Sequence, residues 1–293
     1  MDYIVYLIFR SAVLKVSLMS TRGMAWTSSI LRFMLQRVFC YRSRVIRANI
    51  SHAFPDMSKS ETRQFIDDYY QYLAQLIISS IRSYSYTAEE VLRIFQIPDM
   101  SLADGLAAAG KPSLFLGSHL GTWELAALAV GLYFKQPVII VYKPLSNKYL
   151  NRYLISTRSK FNIKMVSMSG LSEVIRQKLH LNPAIIMLAD QYPMIKSAQE
   201  IPFLNLPTLW FNGADTLSKR YDLIPFFFEV KSNGFDEHIT LFQSLERDRL
   251  MTEFVQKFEN SLHMNKVQWL WSHHRWKNIP HFYESTTSDQ LKS

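Results

Sequence analysis

Between residues 113 and 242 the chain keeps switching between two hydrophobic periods, and this switching restricts its fold more than any other feature. Short apolar runs stand at Ser113–Leu116, Val138–Tyr142, Ala184–Ala189, Ile224–Val230 and Ile239–Phe242. Helix-length stretches separate them near 122–133, 148–160, 171–180 and 212–221, and a last helix is expected near 248–264. Runs of four to eight apolar residues read as buried strands, and the longer amphipathic stretches as helices. Strand alternating with helix argues crossovers and hence parallel pairing. The fold class is therefore α/β: a single domain with a central, mostly parallel sheet flanked by helices. With 293 residues, 48% of them hydrophobic, the chain can bury a large core. No Gly/Ser linker divides it.

Before the alternation begins, the chain reads as helical over 3–20, 24–48 and 60–83. Ser58 followed by Glu61 forms a capping box, and Thr87 followed by Glu90 opens another short helix. Charge is concentrated in this region. The net charge is +9. Eight of the bases lie in the first 50 residues (Arg10, Lys15, Arg22, Arg32, Arg37, Arg42, Arg44 and Arg47) against one acid, Asp2. They are interleaved with Tyr3–Phe9 and with Trp26, Ile30, Leu31, Phe33, Met34 and Leu35. Basic amphipathic helices at an anionic membrane surface show this pattern. Two other readings stay open: packed helices with solvated basic faces, and nucleic-acid binding, which no recognised motif supports. Arg10 and Lys15 break the first apolar run, so a plain spanning helix is not expected. Neither is a signal peptide, because the basic n-region and the A-x-A site are missing. The expected division is a helical anchor over 1–50, a folded domain over 51–284 and a loose polar tail over 285–293.

The strongest candidate for chemistry is GSHLGTWE, residues 117–124. A strand stops at His119, and Gly121 and Thr122 open a helix with Glu124 in its first turn. In open α/β sheets, sites form at the carboxyl ends of strands. Glu124 could bond one imidazole nitrogen and so fix the tautomer of a general base. A satisfied histidine at a strand end is the alternative. Other chemistries fit worse. Ser118 lacks the G-x-S-x-G elbow. The nine glycines include no G-x-G, and there is no Walker loop. A single cysteine, Cys40, excludes a disulfide scaffold and reads as a packing residue. His273, His274 and His281 lack acidic or cysteine partners at metal-ligand spacing. No metal or organic cofactor is expected.

GSHLGTWE resembles the His-x4-Glu motif of the bacterial late acyltransferases of lipid A biosynthesis. YRSRVIRANISHAFPDMS (41–58) is similar to the family's Arg-rich NL..FP segment. LADQYP (188–193) with PFL (202–204) is similar to its DQ motif, and QWLWSHHRWK (268–277) to its C-terminal W.H.RWK block. The resemblance covers about residues 1–280. It implies a glycerolipid-acyltransferase-like domain on the cytoplasmic face of a bacterial inner membrane. The donor would be an acyl carrier protein thioester and the acceptor a hydroxyl of a phosphorylated glycolipid or another membrane lipid. His119 and Glu124 would carry catalysis without an acyl-enzyme; the rival reading is a catalytically silent membrane-binding relative that kept the fold, against which the intact His119/Glu124 pair argues. Asp190 and Gln191 end a strand on the same sheet edge as His119; Asp190 would bond the acceptor or orient a base, or else cap a helix or loop, with Gln191 beside it at the substrate. Lys143, Arg158, Arg275 and Lys277 are the candidates for phosphate contact. Trp269, Trp271 and Trp276 read as packing or interface residues. The sequence departs from the family at Phe203-Leu204-Asn205, where a Phe-Phe-Gly turn is usual; Asn tolerates the positive φ such a turn needs. Lys143 replaces an Arg, and a Gly expected after Arg158 is Asn162 or absent.

Overall fold

The computed structural model describes residues 1–193 and 198–283. The expected loose tail over 285–293 lies outside the described residues. The N-terminal part is helical: α1 (Asp2–Ser17), α2 (Thr21–Phe33), α3 (Ser43–Ala53), α4 (Lys59–Ser83) and α5 (Ala88–Ile94). Then come β1 (Phe95–Gln96), α6 (Ser101–Ala108), β2 (Ser113–Gly117), α7 (Trp123–Tyr133), β3 (Val138–Tyr142) and α8 (Lys148–Arg158). The chain continues through β4 (Ile163–Ser167), α9 (Leu171–Lys178), β5 (Ala184–Leu188), β6 (Ala198–Glu200), β7 (Leu209–Phe211) and α10 (Gly213–Arg220). It ends with β8 (Ile224–Asn233), β9 (Glu237–Ser244) and α11 (Leu250–Met264).

Seven strands form one sheet in the order β1-β9-β8-β2-β5-β3-β4, and β6 and β7 make a small separate hairpin. Among the described residues the only antiparallel neighbours in the large sheet are β8 and β9, which a hairpin joins. Side chains alternate across it, as the pleat requires. Leu114, Leu116, Ile185, Met187 and Phe227 face a core shared with α3, α4, α10 and α11. Phe115, Ile186, Phe226 and Phe228 face a second core built with α5 and α7. The result is three layers, helix on sheet on helix.

Both capping boxes form, Ser58 with Glu61 and Thr87 with Glu90. The five expected strands are present, and β9 is longer at both ends than its apolar centre suggested. β4 was not expected. It is an edge strand in which only Ile163 and Val166 are buried, too few to mark it by pattern. The helix expected over 24–48 is broken. α2 runs into a π-helical turn at Met34–Val38, and Cys40 and Arg42 then take positive φ. Tertiary bonds hold this break: Tyr70 donates to the Tyr41 carbonyl at 2.9 Å, and Arg42 to the Ser272 carbonyl at 2.8 Å. Cys40 is exposed rather than packed. α3 crosses residue 50, and its Ile46, Ala48 and Ile50 lie in the larger core.

α1 lies against α8 and the end of α4. Tyr6 and Phe9 touch Tyr153, and Phe9 meets Tyr84 edge-on at 5.3 Å. Its opposite face is bare. Of the nineteen large apolar side chains exposed among the described residues, fourteen belong to residues 1–41, including Ile4, Ile8, Leu14 and Trp26. No helix among the described residues is long and apolar enough to cross a membrane.

Candidate active site

β2 and β5 are parallel neighbours, and their register sets Gly117 opposite Leu188. Two residues past these partners stand His119 and Asp190. Sheet order thus brings together two side chains 71 positions apart. Asp190 Oδ1 lies 2.7 Å from His119 Nδ1, and Asp190 Oδ2 accepts the His119 backbone N–H at 2.9 Å. The indole N–H of Trp269 donates to the same Oδ2 at 2.8 Å. Asp190 is 2% exposed and the imidazole 15%. Burial alone would raise the Asp190 carboxyl. The imidazole, the indole and the backbone donor outweigh burial and hold it at about 2. A carboxylate can only accept, so Nδ1 carries a hydrogen, and in the neutral imidazole Nε2 then holds the lone pair. Nε2 faces the more exposed side, where the Gln191 amide nitrogen lies 3.1 Å away.

The turn that carries His119 needs its glycines. A Cβ on Gly117 would fall 2.2 Å from the Phe228 ring. Gly121 has φ +71, and a Cβ there would sit 2.4 Å from the Val230 carbonyl oxygen. Leu120 bridges Trp269, and the Gly121 N–H donates to the Gln268 carbonyl at 3.0 Å, so the 268–277 block backs the turn. Thr122, at the head of α7, bonds Ser232 at 2.9 Å and His238 Nδ1 at 3.0 Å. Nε2 of His238 faces the Phe235 carbonyl, which only accepts, so Nδ1 must accept the Thr122 hydroxyl hydrogen. Burial pushes the His238 imidazole down, which keeps it neutral for this role.

Glu124 does not orient the imidazole. Its carboxylate pairs with Arg158 from the end of α8, and Asp190 takes the position at Nδ1 that the spacing had suggested for Glu124. The first turn of α7 directs Glu124 toward α8. The ion pair has Tyr84 beside it, stacked on Tyr153 at 5.8 Å.

The four phosphate candidates separate. Arg158 is committed to Glu124 and is 18% exposed. Arg275 is fully buried, its guanidinium 4.3 Å from the centre of the Trp210 ring. Among the described residues none of its three nitrogens has a hydrogen-bond partner. Burial pushes it down to about 10, so it stays charged at neutral pH. It cannot reach a phosphate at the surface. Lys143 and Lys277 are exposed, the first just past the end of β3 and the second over the Tyr192 ring at 4.2 Å. The tryptophans of the C-terminal block are buried packing residues, and Trp269 also holds Asp190. The Phe203-Leu204-Asn205 turn forms, with φ of +51 at Leu204 and +60 at Asn205 and reciprocal bonds between Phe203 and Leu206.

A family model, bacterial lipid A biosynthesis acyltransferase, matches residues 5–278. The chain belongs to this family. It is also similar to the lipid A biosynthesis lauroyltransferase of Escherichia coli (strain K12), 21% identical over 259 residues, 85% of this chain and 82% of the relative. The family match takes in the basic N-terminal helices, the His119 turn, the Asp190 strand end and the 268–277 block. Three residues of the site carried no signal of their own as partners: Trp269 at Asp190, His238 at Thr122, and His273, whose Nε2 accepts the Tyr192 N–H at 3.1 Å. Each joins segments more than 70 positions apart, and no local spacing reports such a contact.

Proposed function

We propose that this family member moves a fatty acyl chain from an acyl carrier protein thioester to a hydroxyl of a lipid A precursor, at the cytoplasmic face of the inner membrane. The observation that carries the reading is the His119–Asp190 pair, with Nδ1–H committed to a buried carboxylate and Nε2 on the accessible side. Such an imidazole is built to take a proton. The acceptor hydroxyl gives its proton to Nε2 as its oxygen attacks the thioester carbonyl carbon. Asp190 stabilises the imidazolium that forms. The tetrahedral intermediate then collapses. The new ester C–O bond remains, the C–S bond breaks, and the carrier thiolate takes the proton back from Nε2. No covalent enzyme intermediate is required, and Cys40 stands just past the π-helical turn, outside this pair. The Glu124–Arg158 pair acts one step away, by fixing α7 against α8 beside the reacting groups.

Membrane association is supported by the bare apolar face of residues 1–41 and the bases among them. Acidic carrier protein and phosphorylated lipid are both compatible with the +9 charge. A second reading, acyl transfer to a different membrane lipid, is favoured by one observation: Arg158 is paired with Glu124 and Arg275 is buried against Trp210, so neither of these two expected phosphate contacts faces a surface phosphate.

The test is transfer of a labelled acyl chain from acyl carrier protein to a lipid A precursor by purified protein, beside the same assay on total phospholipid. Product from wild type and none from a folded His119→Ala variant is expected. Undiminished transfer by that variant would end the mechanism. Product only from phospholipid would move the acceptor to the second reading.

A further inference from the structure

The Gln191 side chain occupies the one place on His119 that the reaction needs. Asp190 fixes a hydrogen on Nδ1, so in the neutral imidazole, the form that acts as base, Nε2 presents a single in-plane lone pair. At 3.1 Å from it stands the amide nitrogen of Gln191, which must be the donor. One lone pair accepts one hydrogen bond along its axis. An attacking hydroxyl has to donate along that same axis, so Gln191 and the acceptor exclude each other.

The surroundings decide which part of Gln191 can leave. Asp190 before it is buried and takes three hydrogen bonds. Tyr192 after it is anchored by its backbone N–H to His273 Nε2, and Pro193 follows. The backbone on either side is held. The Gln191 side chain is exposed and makes no other hydrogen bond among the described residues. It can therefore rotate away while the strand end stays in place.

We propose that Gln191 is a removable cap on the catalytic base, a positioning residue. It holds the imidazole aimed and shielded before the acceptor binds, and it yields its place to the acceptor hydroxyl in each turnover. The assignment rests on His119 acting as the base in the proposed reaction. The resting enzyme then competes with its own acceptor. A single exchangeable hydrogen bond makes this competition worth roughly two- to tenfold in apparent acceptor affinity.

Two readouts test the proposal. The first uses no substrate. Diethyl pyrocarbonate attacks the unprotonated nitrogen of an imidazole, and peptide mass spectrometry reads the rate at His119 with the other histidines as internal references. Gln191→Ala and the near-isosteric Gln191→Met should both raise the His119 rate about two- to tenfold. An unchanged rate in both, with melting temperature preserved, overturns the cap. The second is steady-state kinetics. In both variants the acceptor KM should fall more than kcat changes, with the donor KM as reference. A rise in acceptor KM would make Gln191 a substrate-binding residue and overturn the cap equally. If wild type transfers nothing to a lipid A precursor, the proposed reaction fails while the reactivity measurement still decides the cap.

Discussion

Replacing Asp190 by Asn tests the site most directly, because the two side chains have nearly the same shape and differ in what they can accept. The carboxylate accepts three N–H groups: the imidazole at Oδ1, and the His119 backbone and Trp269 indole at Oδ2. An Asn has one oxygen. If that oxygen stays with the backbone and the indole, the NH₂ group faces Nδ1. The imidazole must then turn its lone pair inward and carry its hydrogen on Nε2, where it is useless as a base. If the amide is flipped, the tautomer is right but two buried donors face an NH₂ group. Each buried donor left unpaired costs about 1–3 kcal/mol. The productive form therefore lies roughly 2–6 kcal/mol above the unproductive one, and kcat should fall between about 30-fold and 10⁴-fold. The assay is single-turnover acyl transfer by a variant shown to be folded, with side-chain ¹⁵N spectra reading which nitrogen of His119 carries the hydrogen. Glu124→Gln is the control, since Glu124 pairs with Arg158: its tautomer should match wild type whatever its activity. A kcat within threefold of wild type for Asp190→Asn, or a tautomer change in Glu124→Gln, would refute the reasoning.

Three further outcomes follow from the same structure. His273 is pushed down to about 4, by burial first and then by Arg275 and His119 against Asp190, and its Nε2 must be unprotonated to accept the Tyr192 N–H. The unfolded chain, with a value of 6.5, binds the extra proton first, so this stabilisation is present above about pH 6.5 and is lost as pH falls toward 4. Between pH 7 and pH 5 the loss should be about 2 kcal/mol. Melting of His273→Gln, which accepts without titrating, should show a flatter slope; parallel slopes would remove His273 from the account. Asp190 adds nothing in that range, since its own contribution is lost only as pH falls below about 4 toward 2. Gly121→Ala forces a positive φ and a contact with the Val230 carbonyl, so a loss of about 2–4 kcal/mol is expected in urea melts; a loss under 1 kcal/mol would mean that the turn is pliable. Ile4→Glu with Ile8→Glu, both on the bare face of α1, should weaken binding to anionic vesicles by at least roughly tenfold, and unchanged partition would dismiss α1 as the lipid-facing element.

The local grammar of the chain was readable because its causes are local. Ser58 and Glu61 cap α4 through bonds across three residues. The runs at 113–116 and 138–142 become β2 and β3 because buried strands need continuous apolar surface. His119 follows β2 because GSHLG ends a strand, and Asn205 takes the positive φ that its turn needs; the positive φ of Leu204 beside it was not readable. What acts on His119 was decided elsewhere. A five-residue spacing pointed to Glu124, but the direction of a side chain in the first turn of α7 depends on where α8 lies, and α8 offers Arg158. Asp190 reaches the imidazole only because β5 is laid beside β2 in a register that pairs Leu188 with Gly117. The same holds for Arg275. In the sequence it is a candidate for phosphate contact, and packing placed it against Trp210 instead. Sequence spacing fixes the period of an element and the chemistry at its ends. Which ends meet follows from strand order and helix docking, contacts between segments far apart in the chain that no local pattern encodes.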